Sequence, residues 1–214
     1  MAASEAGALP WPAALPCGRG LRLALAPGWD GDGAADRHFG RRLPRQSCSS
    51  LDAVHAAVAS GDCAYGLLPL ECSREGMVNR SHDLLFAGGV KVVAELMHAA
   101  GGDAQEAPER VCRRYGLVAR PEHPADARDN RLMMAVVLPR HAGSLLELLA
   151  PLACRQWSVE HWCARPARVE GWHYRFHFTL CAPVESREVQ GALQEAATRC
   201  ADLKLLGRFR SGAR

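Results

Sequence analysis

After some twenty residues rich in Ala, Pro and Gly, the chain breaks into short apolar runs separated by polar, glycine-bearing turns. Leu21 to Ala26 ("LRLALA") reads as a first strand, and Pro27 to Gly33 ("PGWDGDG") as a turn. Ala34 to Phe39 predicts a short helix. In "SSLDAVHAAVASGD" a Ser stands at the N-cap, Leu51, Val54, Ala57 and Val58 recur at helical spacing, and Gly61 lies just past the end. "CAYGLLPL" is the next strand, and its apolar run breaks at Pro69 to deliver Glu71 and Ser73 to a turn at Gly76. A helical segment ending in Asp83-Leu84-Leu85 follows, and then the β-branched strand "VKVVAELM".

The alternation of strand and helix predicts an α/β layer with a largely parallel sheet. In such sheets ligands sit beyond the carboxyl ends of the strands, so the Pro27–Gly33 and Glu71–Gly76 turns are expected to converge on one site. "HAAGGDAQEAPERVCRRYG" reads as polar and then helical, and "RLMMAVVLP" as a strand. Beyond Arg140 the texture changes. "HAGSLLELLAPLACRQ" predicts an amphipathic helix with Leu145, Leu146, Leu149 and Leu152 on one side. Two strands, "WSVEHWCARP" and "GWHYRFHFTL", a helix "SREVQGALQEAATRC" and a strand "LKLLGRF" complete a β-α-β-β-α-β order, the ferredoxin-like arrangement. The expected organisation is a disordered tail over 1–20, one α/β domain over 21–128 and a ferredoxin-like domain over 129–214.

Composition narrows the function classes. Of 214 residues 48% are hydrophobic and 23% charged, enough to bury a real core. A net charge of +3 without a Lys/Arg run argues against nucleic acid. No apolar stretch approaches the roughly 20 residues of a membrane span. The start lacks a basic region, carries Glu5 and is broken by Pro10, Pro12 and Pro16, so it reads as a tail and not a targeting segment. Nine scattered cysteines without a C-x-x-C fit reduced thiols and a cytoplasmic protein, with no metal or cofactor implied. His173, Arg175 and His177 alternate with Tyr174, Phe176 and Phe178, which predicts a half-exposed sheet face in preference to a metal site.

Several motifs occur in an order that resembles the prephenate dehydratase family with its C-terminal ACT regulatory domain. Pro69-Leu70-Glu71-Cys72-Ser73, Glu75-Gly76, Val78 and Asp83-Leu84-Leu85 resemble the family's "PIENS–EG–V–DLL" pattern. Pro27 stands in the place of its "GPEGTFSE" loop, and Tyr115, Gly116, Leu117, Asp126 and Asn130 match its "YGL…D…N" run. "AGSLLELL" is similar to the ACT "PGAL" helix start, and Cys163 to Pro166 ("CARP") stands in the place of "ESRP".

The resemblance implies a single periplasmic-binding-protein-like α/β lobe with its second lobe shortened, followed by an ACT domain. It implies conversion of prephenate to phenylpyruvate, water and carbon dioxide in L-phenylalanine biosynthesis, feedback by L-phenylalanine and a homodimer through the ACT domain. Carried over residue by residue, Pro27, Glu71, Ser73, Gly76 and Asn130 are substrate-binding candidates. Gly143, Ser144, Leu145, Arg165 and Pro166 are effector-binding candidates. Where the family has its catalytic Thr-Arg-Phe, this chain has Leu132, Met133 and Met134. Neither Leu132 nor Met133 offers a strong donor or a charge, so no catalytic pair is intact. A non-catalytic amino-acid-binding homologue and a prephenate decarboxylase are therefore alternatives. Read from the residues alone, Ser73 caps the turn or touches ligand, and Glu71 organises the loop or serves as a buried acid. Arg74 and Arg131 are solvated cations or bidentate carboxylate holders, and Cys72 is an inert thiol.

Overall fold

The computed structural model describes residues 21–41, 43–100, 111–123, 129–167, 173–182 and 186–211. The expected tail over 1–20, the polar segment at 101–110 and the expected domain junction at 128 lie outside the described residues. In chain order the elements are β1 (Leu23–Leu25), α1 (Gly31–Phe39), β2 (Arg45–Ser47), α2 (Leu51–Ser60), β3 (Tyr65–Cys72), β4 (Gly76–Met77) and α3 (Asn79–Ala87). There follow β5 (Lys91–Ala100), β6 (Val111–Ala119), β7 (Arg131–Val137), α4 (Ser144–Cys154), β8 (Ser158–Ala167), β9 (His173–Cys181), α5 (Ser186–Ala197) and β10 (Asp202–Arg210).

Local chemistry explains several of these boundaries. The Ser50 hydroxyl accepts the Ala53 N–H and starts α2, and Gly61, at φ 90°, ends it. β3 is buried over nearly its whole length, which suits an apolar run flanked by strands on both sides.

All the strands join one sheet in the order β2-β1-β3-β6-β5-β10-β7-β9-β8, with β4 hairpinned onto β3. Among the described residues only β1–β2, β1–β3 and β5–β10 pair in parallel, and the other pairings are antiparallel. The expected largely parallel sheet is thus a mixed one. The cause is β6, read from sequence as a helix, which is a strand inserted antiparallel between β3 and β5. Its arginines looked helical among polar neighbours, but pairing on both edges overrides local propensity.

The two halves meet where β5 runs beside β10, with Gly207 opposite Val92. A Cβ at Gly207 would stand 2.2 Å from the Val92 carbonyl oxygen, so the close approach requires glycine. Beyond this seam the four strands of the β-α-β-β-α-β run lie in the order β10-β7-β9-β8.

One face of the sheet carries α2 and α3 over Leu68, Leu70, Val92, Met133 and Phe209. The other is covered in two pieces, by α1 over Tyr65, Leu96, Tyr115 and Leu117, and by α4 and α5 over Leu132, Met134, Phe178 and Leu180. The buried stripe of α4 is Leu148 and Leu152, with Leu149 at its margin. Leu145 and Leu146 instead face out, 37% and 70% exposed, which corrects the expected apolar side by a rotation of the helix. The His/Arg face of β9 is also corrected: Arg175, His177 and Thr179 are buried, not half-exposed. Arg175 binds Asp83 of α3 at 2.7 Å and lies over the Phe86 ring, so α3 covers this face.

Candidate functional site

A bulge in β3 between Pro69 and Glu71 shifts the strand's register as it ends, and Glu71 and Ser73 line a cavity of about 260 Å³. β5 contributes Glu95 and Met97, β6 contributes Cys112 and Arg114, and Arg131 stands at the start of β7. The edge strand β8 closes the far side: coiling of the sheet carries His161 Nδ1 to 3.4 Å from Glu71 Oε2.

Arg114 organises the centre. Its side chain is 3% exposed, its Nε–H donates to Glu71 Oε2 at 3.1 Å, and Nη1 stands 3.6 Å from Glu95 Oε1. That last separation is too long for a hydrogen bond, and both terminal nitrogens of Arg114 are buried without an acceptor. They are strong donors with capacity for a carboxylate. Burial raises the pKa of Glu95, and Arg114 only partly offsets this. Arg131 is already clasped by Glu160 through Nε and Nη2, the latter at 2.7 Å from Oε1. Ser73 ties the strand ends together: its N–H donates to the Cys112 carbonyl at 2.8 Å and its Oγ accepts the Cys112 N–H at 3.0 Å.

The other substrate candidates surround this cavity or lie apart from it. Gly76, at φ +76°, makes the turn between β3 and β4. Asn130 accepts the Ser211 N–H on Oδ1 at 3.0 Å and donates its own N–H to the Phe209 carbonyl at 3.1 Å, buckling β7 to β10 beside the cavity wall. Pro27 and its turn do not share the cavity. Asp30 binds His98 at 2.9 Å, and His98 projects from the face of β5 opposite Met97. The expected convergence of the two turns fails because alternate residues of one strand face opposite ways.

Leu132 and Met133 lie within β7, paired to β10 and β9, each 1% exposed. They fill the cores on the two faces of the sheet. These positions belong to a central strand rather than to a cleft. Cys72 is likewise buried, and Arg74 is exposed.

The effector candidates divide between the two faces. Gly143, at φ 90°, is the N-cap of α4, with Ser144 and Leu145 in its first turn. Arg165 extends from β8 to Asp83 of α3 at 2.9 Å, and Pro166 pairs with Tyr174. Because α4 and α3 cover opposite faces, one chain does not bring the two groups together.

Sequence reasoning missed Glu95, Arg114, Glu160 and His161. A lone carboxylate within "VKVVAELM" was the available signal for Glu95. Arg114 was hidden by reading β6 as a helix. The polar cluster behind the cavity, Asp83, Arg165, Arg175, His82 and His177, was equally hidden, since its members come from three elements. Among the described residues no group of three or more His, Cys, Asp or Glu is placed to hold a metal ion. No helix among them is long and apolar enough to cross a membrane.

Comparison with known proteins bears on this site. A family model described as prephenate dehydratase matches residues 31–101, which include the Glu71–Gly76 turn and Glu95. A prephenate dehydratase of Mycobacterium sp. strain KMS is 31% identical over 100 residues, covering 46% of this chain and 32% of the relative. The match thus spans about a third of the length of that curated relative. A solved structure described as GqqA, a novel type of quorum quenching acylases, superposes with a TM-score of 0.73 at 19% identity, over 89% of this chain and 95% of its own. A prephenate dehydratase from Arthrobacter aurescens in complex with L-Phe superposes with a TM-score of 0.72 at 16% identity, over 89% and 90%. At such identities the superpositions speak to fold alone, a mixed α/β sheet shared with prephenate dehydratase structures. Motif order, family model and curated relative agree in what they resemble: over residues 31–101 the chain matches the prephenate dehydratase family.

Proposed function

We propose that the chain is a prephenate dehydratase-type protein of L-phenylalanine biosynthesis whose cavity at Glu71 and Ser73 takes prephenate. The observation that carries this reading is Arg114, a buried guanidinium beside the family's motif carboxylate with two terminal nitrogens lacking acceptors. A substrate carboxylate supplies those acceptors. Glu95, its pKa raised by burial, is the proton donor for the departing hydroxyl. The donated proton leaves with the hydroxyl as water, the carboxylate on the ring leaves as carbon dioxide, and its bonding electrons complete the aromatic ring of phenylpyruvate.

Turnover by this arrangement is slow. Prephenate is a dianion, and of the two cavity guanidiniums one is already clasped by Glu160 and the other is bonded to Glu71. That balance favours a second reading, in which the cavity binds a carboxylate ligand without transforming it and the protein is a regulatory homologue. The C-terminal β-α-β-β-α-β unit serves in either case as an ACT-type module for L-phenylalanine, working as a cytoplasmic homodimer in which α4 of one copy approaches Arg165 and Pro166 of the other.

The test is incubation of purified protein with prephenate at neutral pH and identification of the product. Phenylpyruvate above background, lowered by about 10²–10³ in Arg114→Met, supports the dehydratase reading. A decarboxylated dihydro product indicates the decarboxylase. Saturable binding without product, lost in Arg114→Met, indicates the regulatory homologue. Neither binding nor turnover refutes the assignment of this cavity.

A further inference from the structure

The helical cover of the sheet's second face has a gap. α1 lies over the first half and α5 over the second, and between them, above β5 and β10, a recess of about 240 Å³ remains. It lies across the sheet from α3, at the seam where Gly207 meets Val92. Its apolar wall is built from both halves: Val93 comes from β5, Leu205 from β10, and Val189 and Leu193, one helical turn apart, from α5. Lys91 and Arg208 supply positive charge from β5 and β10, and no Asp or Glu is among the described residues that line it. Both cations are partly buried, and neither has an ion-paired or hydrogen-bonded partner among the described residues.

This composition is the reverse of the cavity beside Glu71, where each guanidinium is bonded to a carboxylate. Two partly buried cations of like charge, held beside an apolar wall without a counter-ion among the described residues, are unfavourable until an anion joins them. The wall selects against a bare inorganic anion, since Val93, Leu193 and Leu205 gain only when an apolar body leaves water to cover them. The volume is below the ~300–1,000 Å³ of pockets for drug-sized ligands. We propose that this recess is a second ligand site, specific for a small organic carboxylate with an apolar body, its carboxylate on Lys91 and Arg208 and its body against Val93, Leu193 and Leu205. Because both halves of the chain line it, the bound acid cross-links them. Lys91 and Val93 also precede Glu95 on the same strand, so occupancy stiffens the strand that carries the cavity's acid.

Calorimetric titration of the whole protein with phenylacetate tests the site, with 2-phenylethanol and inorganic phosphate as partial mimics. Saturable binding of phenylacetate is expected, with each mimic weaker by about tenfold or more. Lys91→Met combined with Arg208→Met lowers phenylacetate affinity by at least about tenfold, as does Leu193→Glu alone, which places a carboxylate in the recess. Arg114→Met leaves it unchanged. Thermal melts of the variants without ligand confirm that each is folded. The site is refuted if phenylacetate does not bind at millimolar concentration or if both recess variants bind normally. It is equally refuted if phosphate competes on equal terms or if Arg114→Met alone abolishes binding.

Discussion

Lowering the pH should loosen α3 from the sheet beneath it, through two imidazoles. His82 of α3 and His177 of β9 are each 1% exposed, and their rings meet edge-on at a centroid distance of 5.1 Å. His82 Nε2–H donates to the Leu70 carbonyl at 3.3 Å, and His177 Nε2 accepts the Arg175 Nε–H at 3.0 Å, which requires the His177 ring to be neutral in the fold. Burial, then the nearby charge of Arg114, brings the pKa of His82 down to about 4. Burial, then His82 and Arg175, brings that of His177 down to about 3. Asp83 opposes both shifts without overcoming them.

In the unfolded chain each ring titrates near 6.5. Between that value and the depressed native values the unfolded state binds more protons, so stability falls as pH falls. Each residue's contribution is complete above about pH 6.5 and is lost progressively toward pH 3–4. Integrated from pH 7 to pH 5, the loss is about 2 kcal/mol per histidine and about 3–4 kcal/mol for the pair, a large share of a typical ~5–15 kcal/mol. Denaturant unfolding at half-unit steps between pH 7 and pH 5 measures it. The comparison is His82→Gln combined with His177→Gln, which preserves a donor and an acceptor at the two positions but cannot titrate. The wild type should lose about 3–4 kcal/mol more than the double variant over this interval. Parallel pH profiles would refute the reasoning, since carboxylates common to both proteins would then account for the whole dependence.

Two further predictions concern the joints of the sheet. Gly207→Ala puts a Cβ against the Val92 carbonyl, which is backbone and cannot swing aside, so β5 and β10 must separate. A loss of at least about 3 kcal/mol in denaturant unfolding is expected, and a loss below about 1 kcal/mol would show that the seam yields. Asp83→Ala removes the carboxylate that pairs both Arg165 and Arg175. It should cost about 3–5 kcal/mol, discounted toward the lower figure because Asp83 is partly exposed, since Arg175 is left buried without its counter-charge. Asp83→Ala combined with Arg175→Met should recover part of that loss, and failure to recover any would place the cost elsewhere.

The elements most legible in the sequence were those whose local signals agree with their surroundings. Ser50, the Leu51–Val54–Val58 spacing and Gly61 specify α2 because cap, periodicity and terminus are encoded within a dozen residues. β6 and the orientation of α4 were not legible. "VCRRYG" becomes a strand through two neighbours distant in sequence, and the rotation of α4 is set by which leucines meet Leu132 and Phe178. At the cavity, the motif residues Glu71 and Ser73 were visible in the chain. Arg114, Glu95 and His161 were not, because each sits on a different strand and only the coiling of the sheet assembles them.

The order of residues by itself determined most of the strands and helices, β6 excepted, together with the motif turn after β3 and the family likeness, because short-range spacing and side-chain chemistry suffice for these. Tertiary structure alone decided that Leu132 and Met133 fill the core on the two faces of a central strand. It alone decided that β5 and β10 join the halves at a glycine, and that a buried arginine reaches the motif carboxylate. These outcomes depend on which strands become neighbours, and that is settled by pairing across the whole chain.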